Sequence, residues 1–147
     1  MRVYVCILIL SLVFGGCSSD SRDLTEYELD EGSFGADTIA KIEKESGIDI
    51  VDGAKGLKFY HIPPIDPMIF AKIQIPVEKG EVIEKRLKDL TVFSFPKSFA
   101  DDRCNWWPSS PKNVIFSKYT FNNGYYIEAY LIQEEQQLIL YLKYFTI

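Results

Sequence analysis

From residue 114 to residue 145 the chain alternates, and a period of two fits only extended strands. Tyr125, Ile127, Ala129 and Leu131 share one face of a run over 125–133. Leu138, Leu140, Leu142 and Tyr144 share one face of a second run over 137–145. A third run, 114–120, precedes them. Asn122-Asn123-Gly124 joins the first two strands, because Asn-Gly accepts the positive φ that a tight hairpin demands. Residues 134–136 turn the chain between the last two. The result is an antiparallel meander with one apolar face. Its other face carries Tyr126, Glu128, Tyr130, Ile139, Tyr141 and Lys143, a mixture of tyrosine and charge.

An apolar sheet face needs a cover, and helices are the usual one. Residues 38–46 place Ile39 and Ile42 on one side of a short helix, with Asp37 as the expected N-cap and Gly47 as the C-terminal stop. Pro76 opens a second helix over 77–90. Gly80, Ile83, Leu87 and Leu90 line one side of it at offsets of three and four, and Glu81–Lys85 and Glu84–Lys88 are i,i+4 pairs on the wet side. Residues 57–62 alternate Leu57, Phe59 and His61 against Lys58, Tyr60 and Ile62, and end at Pro63-Pro64, where the ladder loses its donors. Residues 68–75 form the next strand and pair back on them. Residues 94–112 read as loop, with three prolines and the pair Trp106-Trp107. The expected fold is a small α+β domain over residues 34–147, an antiparallel sheet of about five strands with two helices packed on one face.

The beginning of the chain has a different character. Arg2 gives a positive start, residues 5–14 form an apolar run broken only by Ser11, and Gly15-Gly16-Cys17 follows at once. A membrane span takes about 20 apolar residues, whereas a secretory signal has a shorter core of roughly 7–15. This layout resembles a bacterial membrane lipoprotein precursor, whose lipobox sets an apolar residue and two small ones before an invariant cysteine. Phe14 fills the first of those places, where leucine is usual. The resemblance ends about 20 residues in and implies nothing about the fold beyond.

What the resemblance implies is location. Residues 1–16 would be removed as signal peptide, and Cys17 would carry diacylglycerol on its sulfur and, on its new amine, a further chain of the palmitate class. Each buried methylene contributes about 0.8 kcal/mol, so two or three chains make a lasting membrane anchor. Ser18 and Ser19, rather than an aspartate, follow the cysteine; in this family that implies an outer-membrane destination facing the periplasm, if the host is Gram-negative. Residues 17–33 are expected to be an acidic flexible tether, with Leu24, Tyr27 and Leu29 alternatively forming a short turn docked on the domain.

Charge sharpens the division. The whole chain carries −5, yet Asp20, Asp23, Glu26, Glu28, Asp30 and Glu31 stand against Arg22 alone in the tether. From Phe34 onward fifteen acids meet fourteen bases, a near-neutral domain. Such a domain lacks the basic field that attracts nucleic acid or anionic headgroups. Cys6 falls in the signal and Cys17 in the anchor, which leaves Cys104 as the single thiol of the domain, either buried as a small hydrophobe or paired between chains.

Residues that carry chemistry are sparse. His61 is the only histidine, no Gly-x-Ser-x-Gly elbow surrounds a serine, and no glycine-rich segment runs into Lys-Ser or Lys-Thr. His61 and Cys104 do not make up a zinc set, and residues 49–53 lack the intermediate oxygen ligands of a calcium loop. No cofactor or metal is expected. The aromatics invite two readings. Trp106, Trp107, Tyr126, Tyr130 and Tyr141 form a contact surface of the residue types that dominate interfaces, or they close the core beneath a neighbouring loop. On the first reading the protein is a non-enzymatic envelope lipoprotein that binds another envelope protein or the glycan of peptidoglycan. The alternatives are an inhibitor or immunity-type lipoprotein that protects against a hydrolase, and a periplasmic enzyme built on His61.

Overall fold

The computed structural model describes residues 25–63, 67–91 and 104–146; the expected signal peptide, Cys17 and residues 92–103 lie outside them. Among the described residues six strands and two α-helices follow in the order β1 (Tyr27–Asp30), α1 (Ala36–Ser46), β2 (Lys55–Ile62), β3 (Met68–Ile75), α2 (Gly80–Asp89), β4 (Val114–Asn122), β5 (Tyr125–Glu134) and β6 (Gln137–Phe145). The strands form one sheet in the order β1-β2-β3-β6-β5-β4, and every pairing is antiparallel. The fold is α+β, with six strands among the described residues where about five were expected.

The sixth strand comes from the expected tether. Tyr27–Asp30 pairs with β2 in the register Tyr27↔His61 to Asp30↔Lys58. Tyr27 and Leu29 face inward while Glu26, Glu28 and Asp30 are exposed, so the acids that read as a solvated linker are the outer side of an edge strand. Asp30 then closes a turn: its Oδ1 accepts from the Gly32 N–H and from the Ser33 hydroxyl, both at 3.0 Å. These bonds hold its carboxyl below the usual carboxylate range, the Ser33 contribution being the largest. The turn delivers Phe34, whose ring lies where a Cβ on Gly56 would stand, 2.2 Å from the nearest ring atom.

The two halves of the sheet meet at β3 and β6, whose eight pairs run without a slip from Met68↔Phe145 to Ile75↔Leu138. The hairpin at Asn123-Gly124 adopts the positive φ expected of it, +50° and +84°. One buried cluster joins Phe59, Ile73, Ile127, Leu131, Leu140, Leu142 and Tyr144 of the sheet to Ile42 of α1 and to Ile83 and Leu87 of α2. Burying a side chain of this size contributes about 1.5–3 kcal/mol, and Ile42, Ile83 and Leu87 are fully enclosed.

Three local expectations change. Gly35, not Asp37, is the N-cap of α1, because the Asp30 turn has already reversed the chain; Asp37 lies in the first turn, where a carboxylate favours the positive helix end. The second helix opens as a 3-10 turn over Val77–Lys79 and becomes α-helical at Gly80, with Glu84–Lys88 closing at 2.5 Å. A register shift between Gly56 and Lys58 breaks the parity of β2, so that Leu57 packs against a second cluster and not beside Phe59.

Candidate functional site

That second cluster occupies the opposite face of the sheet. Ile62, Phe70, Tyr130, Ile132, Ile139 and Tyr141 are buried there together with Cys104 and Trp107. The segment that begins at Cys104 is the cover. It turns at Cys104, whose carbonyl accepts from the Trp107 N–H at 3.2 Å, and lays the Trp107 indole over Phe70, Tyr130 and Tyr141 at centroid distances of 5.4, 5.9 and 6.0 Å. Consequently β6 is buried without interruption from Leu138 to Tyr144. Alternation marks which residues share a side; it does not say that both sides are covered.

Of the five candidate contact residues, Trp107, Tyr130 and Tyr141 are thus enclosed, at 8%, 8% and 4% exposure. They are brought together, but as core. Cys104 is buried beside them. Trp106 and Tyr126 remain half-exposed and stand apart. Tyr126 packs on Phe121 and Phe145 at 4.9 and 5.7 Å. Trp106 sits edge-on to Phe70 at 6.4 Å and donates its indole N–H to Glu28 Oε1 at 2.9 Å.

Inside the cluster lies a charged network. Lys143 Nζ donates to Glu128 Oε2 at 3.2 Å, with 1% and 5% of the two side chains exposed. The Tyr130 hydroxyl donates to Glu128 Oε1 at 2.5 Å. Its one proton is committed there, so Tyr119, 2.5 Å from the Tyr130 oxygen, is the donor of that contact. Rings surround the ammonium: Phe70, Trp107 and Phe145 centroids lie 5.7, 5.8 and 5.9 Å from Lys143 Nζ, within cation–π range. Burial, then the carboxylate of Glu128, push the Tyr130 phenol far above its usual range.

A second polar group borders this one. Lys72 Nζ donates to Glu134 Oε2 at 2.9 Å, and the Tyr141 hydroxyl donates to Glu134 Oε1 at 2.5 Å. Burial alone would raise the Glu134 carboxyl, but the Lys72 and Tyr141 hydrogen bonds outweigh it and hold it below its ordinary value. Burial likewise opposes the Lys72 charge, and the bonds to Glu134 and Tyr141 overcome it and raise that ammonium.

His61 is 4% exposed. Its Nδ1 stands 3.4 Å from the Thr25 carbonyl oxygen and its ring 5.1 Å from that of Tyr27, contacts that tie β1 to β2. Among the described residues no group of three or more His, Cys, Asp and Glu side chains could hold a metal ion, and no helix is long and apolar enough to cross a membrane.

A cleft of about 290 Å³ opens at the β1 edge, lined in part by Glu26, Glu28, Tyr60, Cys104, Asn105 and Trp106. The Tyr60 hydroxyl donates to Glu26 Oε1, and the Trp106 indole to Glu28, so each carboxylate orients one aromatic side chain. Chemically the cleft offers carboxylate acceptors, an amide and the aromatic side chains of Tyr27, Tyr60 and Trp106. Sequence reasoning selected Trp106 but missed Glu26, Glu28 and Tyr60, whose role depends on β1 being a strand. No protein family, no curated protein and no solved structure matches the chain.

Proposed function

We propose that this chain is a cell-envelope lipoprotein, held on the membrane through Cys17, whose domain is a non-enzymatic binding module for a cell-wall glycan. In this reading both helices pack on the first face of the sheet, Trp107 closes the second, and the contact surface is the Trp106 cleft. The bond from Trp106 to Glu28 carries the proposal, because it fixes an indole at the rim of an open cleft beside hydrogen-bonding groups. Sugar rings are recognised by that combination, apolar ring faces on an aromatic with hydroxyls donating to carboxylates. With β1 starting ten residues after Cys17, the fold begins within about 36 Å of the anchor even if the intervening chain is fully extended. The domain then faces the wall nearest its own membrane, on the periplasmic side of the outer membrane in a Gram-negative host.

Two measurements separate anchor from ligand. Cys17→Ser should abolish labelling by radioactive palmitate and release the protein from the membrane fraction; labelling that persists removes the anchor. Trp106→Ala should reduce retention on purified peptidoglycan at least about tenfold, a loss typical of a binding hot spot, with an unchanged circular dichroism spectrum. Wild-type protein that passes through peptidoglycan unretained removes the glycan, and cross-linking in intact cells then tests an envelope protein in its place.

A further inference from the structure

The β4–β5 hairpin does more than reverse the chain. The last four carbonyls of an α-helix have no partner within it, and in α1 all four are taken. The Gly47 N–H donates to Glu43 O at 2.9 Å. Asn123 Nδ2 donates to both Lys44 O and Glu45 O, and Asn122 Nδ2 to Ser46 O, each at 2.8 Å. Two amides at a hairpin tip therefore cap a helix more than seventy residues earlier in the chain. Gly47 makes room for them: it takes φ +68°, and a Cβ there would stand 2.5 Å from Asn122 Nδ2.

Asn123 is also exposed, and the residue after it is glycine. We propose that Asn123 is a site of spontaneous covalent modification, kept in its amide form by the α1 carbonyls while the hairpin is docked. In the reaction the deprotonated nitrogen of Gly124 attacks Asn123 Cγ. A C–N bond forms, the Cγ–Nδ2 bond breaks, and Nδ2 leaves as ammonia, keeping its two hydrogens and taking one proton from water, which balances the proton that the Gly124 nitrogen lost to solvent. The cyclic imide then takes up one water and opens either to aspartate or to isoaspartate, in which the main chain runs through Cγ. Solvent water is the only co-reactant. Glycine favours the step because no side chain shields the attacking nitrogen.

Docking opposes that attack. Nδ2 is committed to two helix carbonyls, and the backbone is held at φ +50°, so the carboxamide must leave α1 before it closes on Gly124. Conversion then prevents return, since a carboxylate is an acceptor only and would set a negative charge against carbonyl oxygens at the negative end of the helix. The modification is a one-way record of hairpin opening.

The test uses the full chain in mildly alkaline buffer, following the gain of one mass unit in the peptide that contains Asn123. The expected rate is at least about tenfold lower in the folded protein than in urea, because closure waits on a local opening. Asn123→Asp should unfold at lower temperature than Asn123→Gly, which loses the same donors, keeps the positive φ and adds no charge. Equal rates with and without urea overturn the proposal, as does an Asn123→Asp variant as stable as Asn123→Gly. The rate comparison needs no variant, so it decides even if Asn123→Asp fails to fold.

Discussion

Lys143 is the side chain whose surroundings depart furthest from its chemistry. A strongly hydrated ammonium is enclosed in a sheet face, beside the Glu128 carboxylate and the rings of Phe70, Trp107 and Phe145. Removing one partner of such a pair leaves the other charge buried and unpaired, at a cost of about 3–5 kcal/mol. Lys143→Met is accordingly expected to lower the unfolding free energy by that amount in a urea titration. Lys143→Met combined with Glu128→Leu and Tyr130→Phe should recover most of it, because no buried charge is then stranded and the Tyr119 hydroxyl, which loses its acceptor, is only half-buried. If the single and triple variants are equally destabilised, packing and not charge sets the cost. Glu128 and Lys143 are visibly on one face in the sequence, but their cross-strand register is set by a two-residue turn at Glu135-Gln136, with Glu134 paired to Gln137, and not by the expected turn over 134–136. Their burial is not visible there either, because the covering indole comes from a loop that alternation leaves unplaced.

At the scale of elements, β4, β5 and β6 carry an array of buried and half-buried phenols. Burial, in each case the largest cause, raises Tyr119, Tyr130, Tyr141 and Tyr144 above the usual tyrosine value. A group whose folded value is raised contributes stability that is complete below its unfolded value and disappears as pH rises through the folded one. Stability should therefore fall above about pH 10, by about 1.4 kcal/mol per pH unit for each tyrosine that ionises only in the unfolded chain. Phenolate absorbance and loss of circular dichroism should rise together, and Tyr130→Phe should make the decline shallower. Phenolate formation well before unfolding would show these rings to be open to solvent. The acid side has the opposite sign. Glu134 is held low by Lys72 and Tyr141, so its contribution is complete above the ordinary carboxylate value and is lost as pH falls through its lowered one.

Across the whole molecule, the sheet is two meanders joined by α2, with β3 and β6 as the seam. β1 sits at one edge, yet it carries Tyr27 and Leu29 against the main core and Glu28 against Trp106, so it belongs to both faces at once. A chain beginning at Phe34 would suffice if residues 17–33 were only a tether. It is instead expected to unfold at a markedly lower urea midpoint than a chain beginning at Thr25, with Trp106 fluorescence shifted toward the solvent-exposed value. Equal midpoints would mean that β1 adds nothing to the fold.

The elements with a strong local signal were legible in the sequence alone: the 68–75 and 137–145 strands, the Asn-Gly turn, the Ile83–Leu87 side of α2, and the inward parity of the final meander. Each depends on a period or a turn preference that a few neighbouring residues settle among themselves. Tertiary structure decided the rest. An acidic stretch became an edge strand because β2 was there to pair with it. The tyrosine face became core because Cys104–Trp107 folds back over it, and tyrosine and tryptophan, apolar in body and polar at the tip, read the same whether covered or open. Which of those states holds depends on a segment remote in the chain, and period and composition report only on neighbours.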